Sequence, residues 1–70
     1  MQDRIIEIAS AVLGAGVEGK TAMKDVPGWD SIKTLQIIMA LDEAGIIVPL
    51  EKIAKVRSIG DIINFAGTEG

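Results

Sequence analysis

Apolar residues recur along this chain at the three- and four-residue spacing of a helix in four places, and glycine and proline punctuate the stretches between them. In DRIIEIASAVLG the positions Ile5, Ile8, Ala9 and Val12 share one face, Asp3 can cap the start, and Gly14 suits a left-handed exit. This pattern predicts a helix over about residues 3 to 13. The segment GAGVEGKTAMKDVPGWD that follows holds only isolated apolar residues and a Pro-Gly pair near its end, so it reads as a long loop. Connections of this length are uncommon in small domains unless they are functional or pinned to the core by their own side chains. Here the expected pins are Val17, Met23 and Val26.

The strongest helical pattern runs from Ser31 to Ala44, SIKTLQIIMALDEA, with Gly45 placed to end it. It carries two apolar stripes. Ile37, Ile38 and Leu41 lie within one turn of each other and form a core-facing set, whereas Ile32, Leu35 and Met39 form a second set rotated partly away. Both cannot fully face one small core, so the helix is either packed on nearly all sides or shows a docking stripe to solvent. The β-branched run in GIIVP has no partner strand elsewhere and is expected to be an extended connector. Pro49 suits a first helical position, and LEKIAKV offers Leu50, Ile53, Ala54 and Val56 as the apolar face of a short third helix. Ser58 with Asp61 three residues on resembles a capping box, ahead of a last helix through Ile59, Ile62, Ile63 and Phe65 that Gly67 closes. The tail TEG is expected to fray. The predicted fold is all-α: a small four-helix antiparallel bundle, three main helices plus one short one, forming a single domain over residues 1–70.

Composition supports a packed core and narrows the chemistry. Seventy residues, 49% of them hydrophobic, make one domain near the size at which a core only just outweighs chain entropy. Ten acids against seven bases leave a net charge of -3 with no basic run, which excludes a phosphate-neutralising surface for nucleic acid and the basic recognition helix of a helix-turn-helix protein. The longest apolar runs fall far short of a bilayer span, and the charged start has no signal-peptide pattern, so a soluble, cytoplasmic monomer is expected. The initiating Met1 favours a separate chain.

With neither histidine nor cysteine, a Ser-His-Asp triad, a Cys-His pair and a thiolate or conventional zinc site are all excluded. Asp42 and Glu43 diverge on a helix, Asp25 and Asp30 lack calcium-loop spacing, and so small a bundle has little room for a ligand pocket. A non-enzyme without a metal is expected. Ser31 remains, in PGWDSIKTL. It is either the cap of the helix or, if Asp30 takes that role, the first helical residue, with its hydroxyl turned to solvent. A phosphate attached there would sit against unpaired backbone N–H groups and the positive end of the helix dipole. Serine without a neighbouring base is a poor nucleophile, so another enzyme would have to make the modification.

GWDSIKTLQIIMALDEAGIIVP followed by LEKIAKVRSIGDIINFAG resembles an acyl or peptidyl carrier protein over essentially the whole chain. The resemblance rests on the placement of the Asp-Ser-aliphatic triplet at the second helix within this helix order. It implies that Ser31 is esterified by a phosphopantetheinyl transferase with the 4'-phosphopantetheine arm of coenzyme A, whose thiol then carries acyl groups as thioesters. It also implies that Asp30 helps position that transferase. Ile32, Leu35 and Met39, with Asp30, would be the docking face for acyl-loading and acyl-transferring synthase enzymes. The chain departs from carriers of housekeeping fatty-acid synthesis in one respect. Residues 30–57 hold as many bases (Lys33, Lys52, Lys55, Arg57) as acids (Asp30, Asp42, Glu43, Glu51). That balance points toward a specialised pathway over housekeeping fatty-acid synthesis, and the resemblance implies a role in fatty-acid, polyketide or related specialised biosynthesis. Trp29 is expected to anchor the loop over the bundle. The alternatives are a peptidyl carrier loaded with an amino acid, and an unmodified carrier-like helical module that binds partners through the same stripe.

Overall fold

The computed structural model describes residues 2–66, and their architecture is wholly helical. Helix α1 (Gln2–Leu13), helix α2 (Ser31–Glu43) and helix α3 (Ile59–Phe65) are joined by a long loop containing a single 3₁₀ turn at Met23–Asp25 and by a 3₁₀ helix at Leu50–Lys55. α1 packs against α2 and α3, and α2 packs against the 3₁₀ helix. Ile5 and Ala9 of α1, Ile37 and Leu41 of α2, and Ile59 and Ile62 of α3 are completely shielded from solvent and make the centre of the core. The expected Gly67 stop and the TEG tail lie outside the described residues.

Helix α1 follows its expected pattern, except that it starts at Gln2, so Asp3 is not its cap. It lies instead within the first turn, where its charge still complements the positive end of the dipole. Gly14 ends the helix with φ +71, a conformation that costs an L-residue about 1 kcal/mol or more. The stop of α2 is a complete Schellman motif. Gly45 at φ +87 donates to the Asp42 carbonyl at 3.0 Å, and Ile46 donates to that of Leu41 at 2.8 Å. Beyond it Ile46 and Val48 point into the core and Ile47 out, the alternation of an extended connector.

The short third helix departs from expectation. Pro49 is its N-cap and not its first helical residue, and the turn is 3₁₀. At three residues per turn Leu50 and Ile53 share one edge while Ala54 is carried to the next. Leu50 at the first position and Ala54 are exposed, Ile53 is half-buried, and only Val56, just past the helix, is buried. The start of α3 is also modified. Ser58 Oγ accepts from the Asp61 N–H at 3.2 Å as a cap should, but the Asp61 carboxylate accepts from the Arg57 N–H at 2.9 Å, one residue before the partner a capping box would use.

The long loop is held where expected and at further points. Val17 is buried and donates its N–H to Ser10 Oγ, and Met23 and Val26 are half-buried. A short antiparallel bridge then ties the loop to the entry of α3: the Met23 N–H donates to the Arg57 carbonyl at 2.7 Å, and the Ile59 N–H to that of Thr21 at 2.9 Å. The approach is close enough that a Cβ on Gly60 would stand 3.0 Å from the Gly19 carbonyl oxygen. That oxygen has little freedom to yield, because the Glu18–Thr21 turn is closed by two hydrogen bonds, to the Glu18 carbonyl and from the Glu18 N–H, and Thr21 is itself tied to Ile59.

Gly60→Ala should therefore destabilise the protein by about 1–2 kcal/mol despite alanine's better helix propensity. Gly16→Ala, which has open space and no positive φ, should be tolerated or stabilising by up to about 1 kcal/mol. Paired thermal melts check this, and an unchanged Tm for the Gly60 variant would mean that the loop is not seated on α3.

Candidate functional site at the start of α2

The approach to α2 is a turn followed by an anchor and a cap. Pro27 and Gly28 occupy the middle of a turn closed by the Trp29 N–H donating to the Val26 carbonyl at 3.1 Å. Gly28 has φ +88, the value that the third residue of a type II turn requires. This turn delivers Trp29 into the core, where it is 5% exposed. Burying a tryptophan removes about 150–250 Å² from water, worth roughly 4–6 kcal/mol as an upper limit, and its N–H must then find an acceptor. Thr34, the buried polar residue of α2, supplies it: Trp29 Nε1 donates to Thr34 Oγ1 at 2.8 Å. The same hydroxyl donates onward to the Asp30 carbonyl at 3.1 Å, which also accepts the Thr34 N–H at 3.0 Å. No buried side-chain polar atom among the described residues lacks a partner.

This knot settles the two roles left open for Ser31. Asp30 is the N-cap, with extended backbone and Oδ1 accepting from the Lys33 N–H at 3.0 Å. Ser31 is the first residue of α2, and it is exposed. Its hydroxyl stands at the electropositive end of a helix of 13 residues.

The two stripes of α2 separate as their spacing implies. Ile37, Ile38 and Leu41 are buried with Thr34, while Ile32, Leu35 and Met39 are 65, 41 and 57% exposed. Two further apolar side chains join the exposed set, Ile47 at 46% and Leu50 at 69%. Sequence reasoning missed both, having placed Leu50 on a core face and Ile47 in a connector. Together they open space that so small a bundle was not expected to offer. An open cleft of about 540 Å³ runs between α2 and the 3₁₀ helix, with Ser31, Ile32, Leu35, Leu50, Ile53 and Arg57 along its walls. A smaller cleft of about 270 Å³ continues from it past Leu50, between Met39, Asp42 and Ile47. Of the expected site residues, Ser31, Ile32 and Leu35 line the larger cleft and Met39 the smaller, whereas Asp30 lines neither and stands at the cap beside Ser31.

Among the described residues no three acidic side chains cluster so as to hold a metal ion, and no helix is long and apolar enough to cross a membrane. Asp42 and Glu43 are separate exposed groups.

Thr34→Val keeps the shape of the side chain but leaves the indole N–H of Trp29 buried without an acceptor, so it should cost about 1–3 kcal/mol. In a double-mutant cycle with Trp29→Phe the penalty should shrink, because the orphaned donor is then absent. Denaturant midpoints followed by circular dichroism measure both, and strict additivity would show that the hydrogen bond does not couple the loop to α2. Compared with known proteins, the chain matches no protein-family model and no solved structure.

Proposed function

We propose that this protein is an acyl carrier that bears 4'-phosphopantetheine on Ser31 and presents acyl groups to partner enzymes, as a cytoplasmic monomer that is not itself an enzyme. The observation that carries the proposal is the exposed first-turn Ser31 behind an Asp30 cap, at the mouth of an apolar cleft. A serine acting as a cap would turn its oxygen back to the backbone. Here Asp30 performs that task and leaves the alcohol to face an incoming enzyme.

The residues fit the group in three respects. The start of α2 presents N–H donors and a positive dipole end to a phosphodiester on Ser31. The cleft offers an apolar wall of Ile32, Leu35 and Leu50 alongside it. No cysteine competes for acyl groups, and the bound arm would supply the thiol that forms the thioester. In that transfer the Ser31 oxygen would bond to the phosphorus that carries the pantetheine arm as the diphosphate bond of coenzyme A breaks and 3',5'-adenosine bisphosphate leaves; the serine proton would pass to a base of the phosphopantetheinyl transferase, since this chain has no histidine and Asp30 Oδ1 is engaged with the Lys33 N–H. Asp30 thereby acts as a positioning residue. The balanced charges of residues 30–57 favour polyketide or other specialised biosynthesis over a fatty-acid pathway whose enzymes seek an acidic carrier.

The exposed stripe of Ile32, Leu35 and Met39 equally suits an unmodified helical adaptor, which is the second reading. One experiment separates the two. The folded protein is incubated with coenzyme A, magnesium and a promiscuous phosphopantetheinyl transferase, and intact mass is recorded. The carrier gains one phosphopantetheine and Ser31→Ala gains none, whereas a folded wild-type protein that gains nothing is an adaptor. Asp30→Asn preserves the cap, so its Tm should hold while the transfer rate falls; Asp30→Ala should lower both, the stability by about 1 kcal/mol. Equal transfer rates for wild type and Asp30→Asn would remove Asp30 from the recognition.

A further inference from the structure

A third cleft, of about 520 Å³, opens between the loop and the entry of α3, with Ala22, Met23, Lys24, Trp29 and Arg57 on its walls. Met23 and Arg57 also line the larger cleft beside Ser31, and their backbones are joined by the 2.7 Å hydrogen bond from the Met23 N–H to the Arg57 carbonyl. The two spaces therefore share a wall. Ten acids outnumber seven bases in the chain, yet no carboxylate lines either space, and the ionic side chains that do are Lys24 and Arg57. The acids closest to these cations in the chain, Asp25 and Asp61, are turned to the backbone, accepting from the Ala22 N–H at 3.2 Å and from the Arg57 N–H at 2.9 Å. The rest of the third cleft is apolar, built from Ala22, Met23 and Trp29. Such a pocket suits an anionic group at the end of an uncharged chain.

We infer that Lys24 and Arg57 hold a carboxylate at the far end of the acyl group carried on the arm, so that the cargo of this protein is an acid with a second, free carboxyl group. This rests on the carrier reading and gives the chemical class of its substrate. Reach and affinity select the occupant. The phosphodiester is fixed at Ser31, which is not on the wall of the third cleft, whereas the arm and its acyl group extend away from that point. Both cations are exposed, and an exposed ion pair strengthens binding only about two- to fivefold, too little to retain a free anion. An anion tethered to the same molecule is present at an effective concentration on the order of millimolar, and for it so small a gain decides where it rests. The planar fork of Arg57 matches the two oxygens of a carboxylate. An acyl group ending in a methyl would leave both cations without a partner, and one ending in an amine would be repelled by them.

Two ways of loading the full chain test the inference. Wild-type protein is loaded by the transferase from glutaryl-coenzyme A, with mass recording the gain. The chain has no cysteine, so Ser31→Cys offers a single thiol to which a flexible arm ending in glutarate, or in its neutral methyl ester, is joined by a disulfide without any transferase. The acidity of the isotope-labelled terminal carboxyl is then followed by NMR. On a protein of net charge -3 a tethered carboxyl away from any cation should be a weaker acid than on the free arm. Held by Lys24 and Arg57 it should be a stronger one, its dissociation constant raised about two- to fivefold. Lys24→Gln and Arg57→Gln should each remove part of that gain and the double variant all of it, with circular dichroism unchanged. Arg4→Gln, an equal change of charge off the wall of the cleft, should remove none. The Met23 methyl and Trp29 indole resonances should shift with the acid and not with the ester. A dissociation constant no higher than on the free arm, equal shifts from the ester, or loss of the gain in Arg4→Gln overturns the inference. So does the same response to free glutarate, or its loss on dilution, which would assign the cleft to an untethered anion or a second copy. No mass gain on the folded wild-type protein defeats the carrier reading and the cargo with it, whereas a mass gain without the stronger acid defeats the cargo class alone.

Discussion

A single buried hydroxyl decides the shape of the molecule at the start of α2. Thr34 accepts from the indole of Trp29 and donates to the carbonyl of Asp30, so one oxygen joins the end of the loop, the cap and the first turn of α2. A neutral hydrogen bond is worth only about 1 kcal/mol net, yet leaving a buried donor without a partner costs up to about three times as much. Trp29 can therefore bury its large surface only in the place where Thr34 waits for it. Once Trp29 is seated, Asp30 is drawn into the cap position and Ser31 is pushed to the outside. The exposure of the serine is a consequence of what its two neighbours must do.

The long loop is made rigid by the same economy of parts. Its glycines leave it little intrinsic order, and a chain this small has few core residues to spare for it. Val17 and Trp29 tie its two ends to the bundle, and the paired hydrogen bonds between Thr21, Met23 and the 57–59 segment hold its middle. Arg57 is caught in this arrangement, since its carbonyl accepts from Met23 and its N–H donates to Asp61. Its backbone is held at both polar atoms while its side chain reaches the cleft beside Ser31. The contact that holds the loop thus also places a cation on the wall of the cleft that Ser31 lines.

On α2 the competition between burial and exposure is resolved by geometry. A helix in a domain of three short helices has neighbours on part of its circumference only, and Thr34, Ile37, Ile38 and Leu41 fill that part. Ile32, Leu35 and Met39 are left to solvent. Leu50, the first residue of the 3₁₀ helix, is exposed across from them, so the second wall of the cleft is apolar as well.

Local rules carried the stops of α1 and α2, the two faces of α2 and the extended connector, because each depends on residues within one or two turns of each other. The glycines at 14 and 45, the Asp-Ser pair at 30–31 and the separation of Ile37 from Ile32 are all of this kind. Sequence could not choose between cap and first helical residue for Ser31, since the choice rests on an indole and a threonine whose meeting requires the turn at Pro27–Gly28 to close in a particular way. It also misplaced Leu50 and Ala54, where an α-helical period was assumed and the chain wound tighter. The bridge from the loop to α3, the joining of Ile47 and Leu50 to the exposed stripe, and the presence of Arg57 in the cleft were beyond its reach for one reason: each brings together residues distant in the chain. Periodicity determines which face of an element is apolar, but which of those faces is covered depends on how many neighbours surround it, and only the packed structure supplies them.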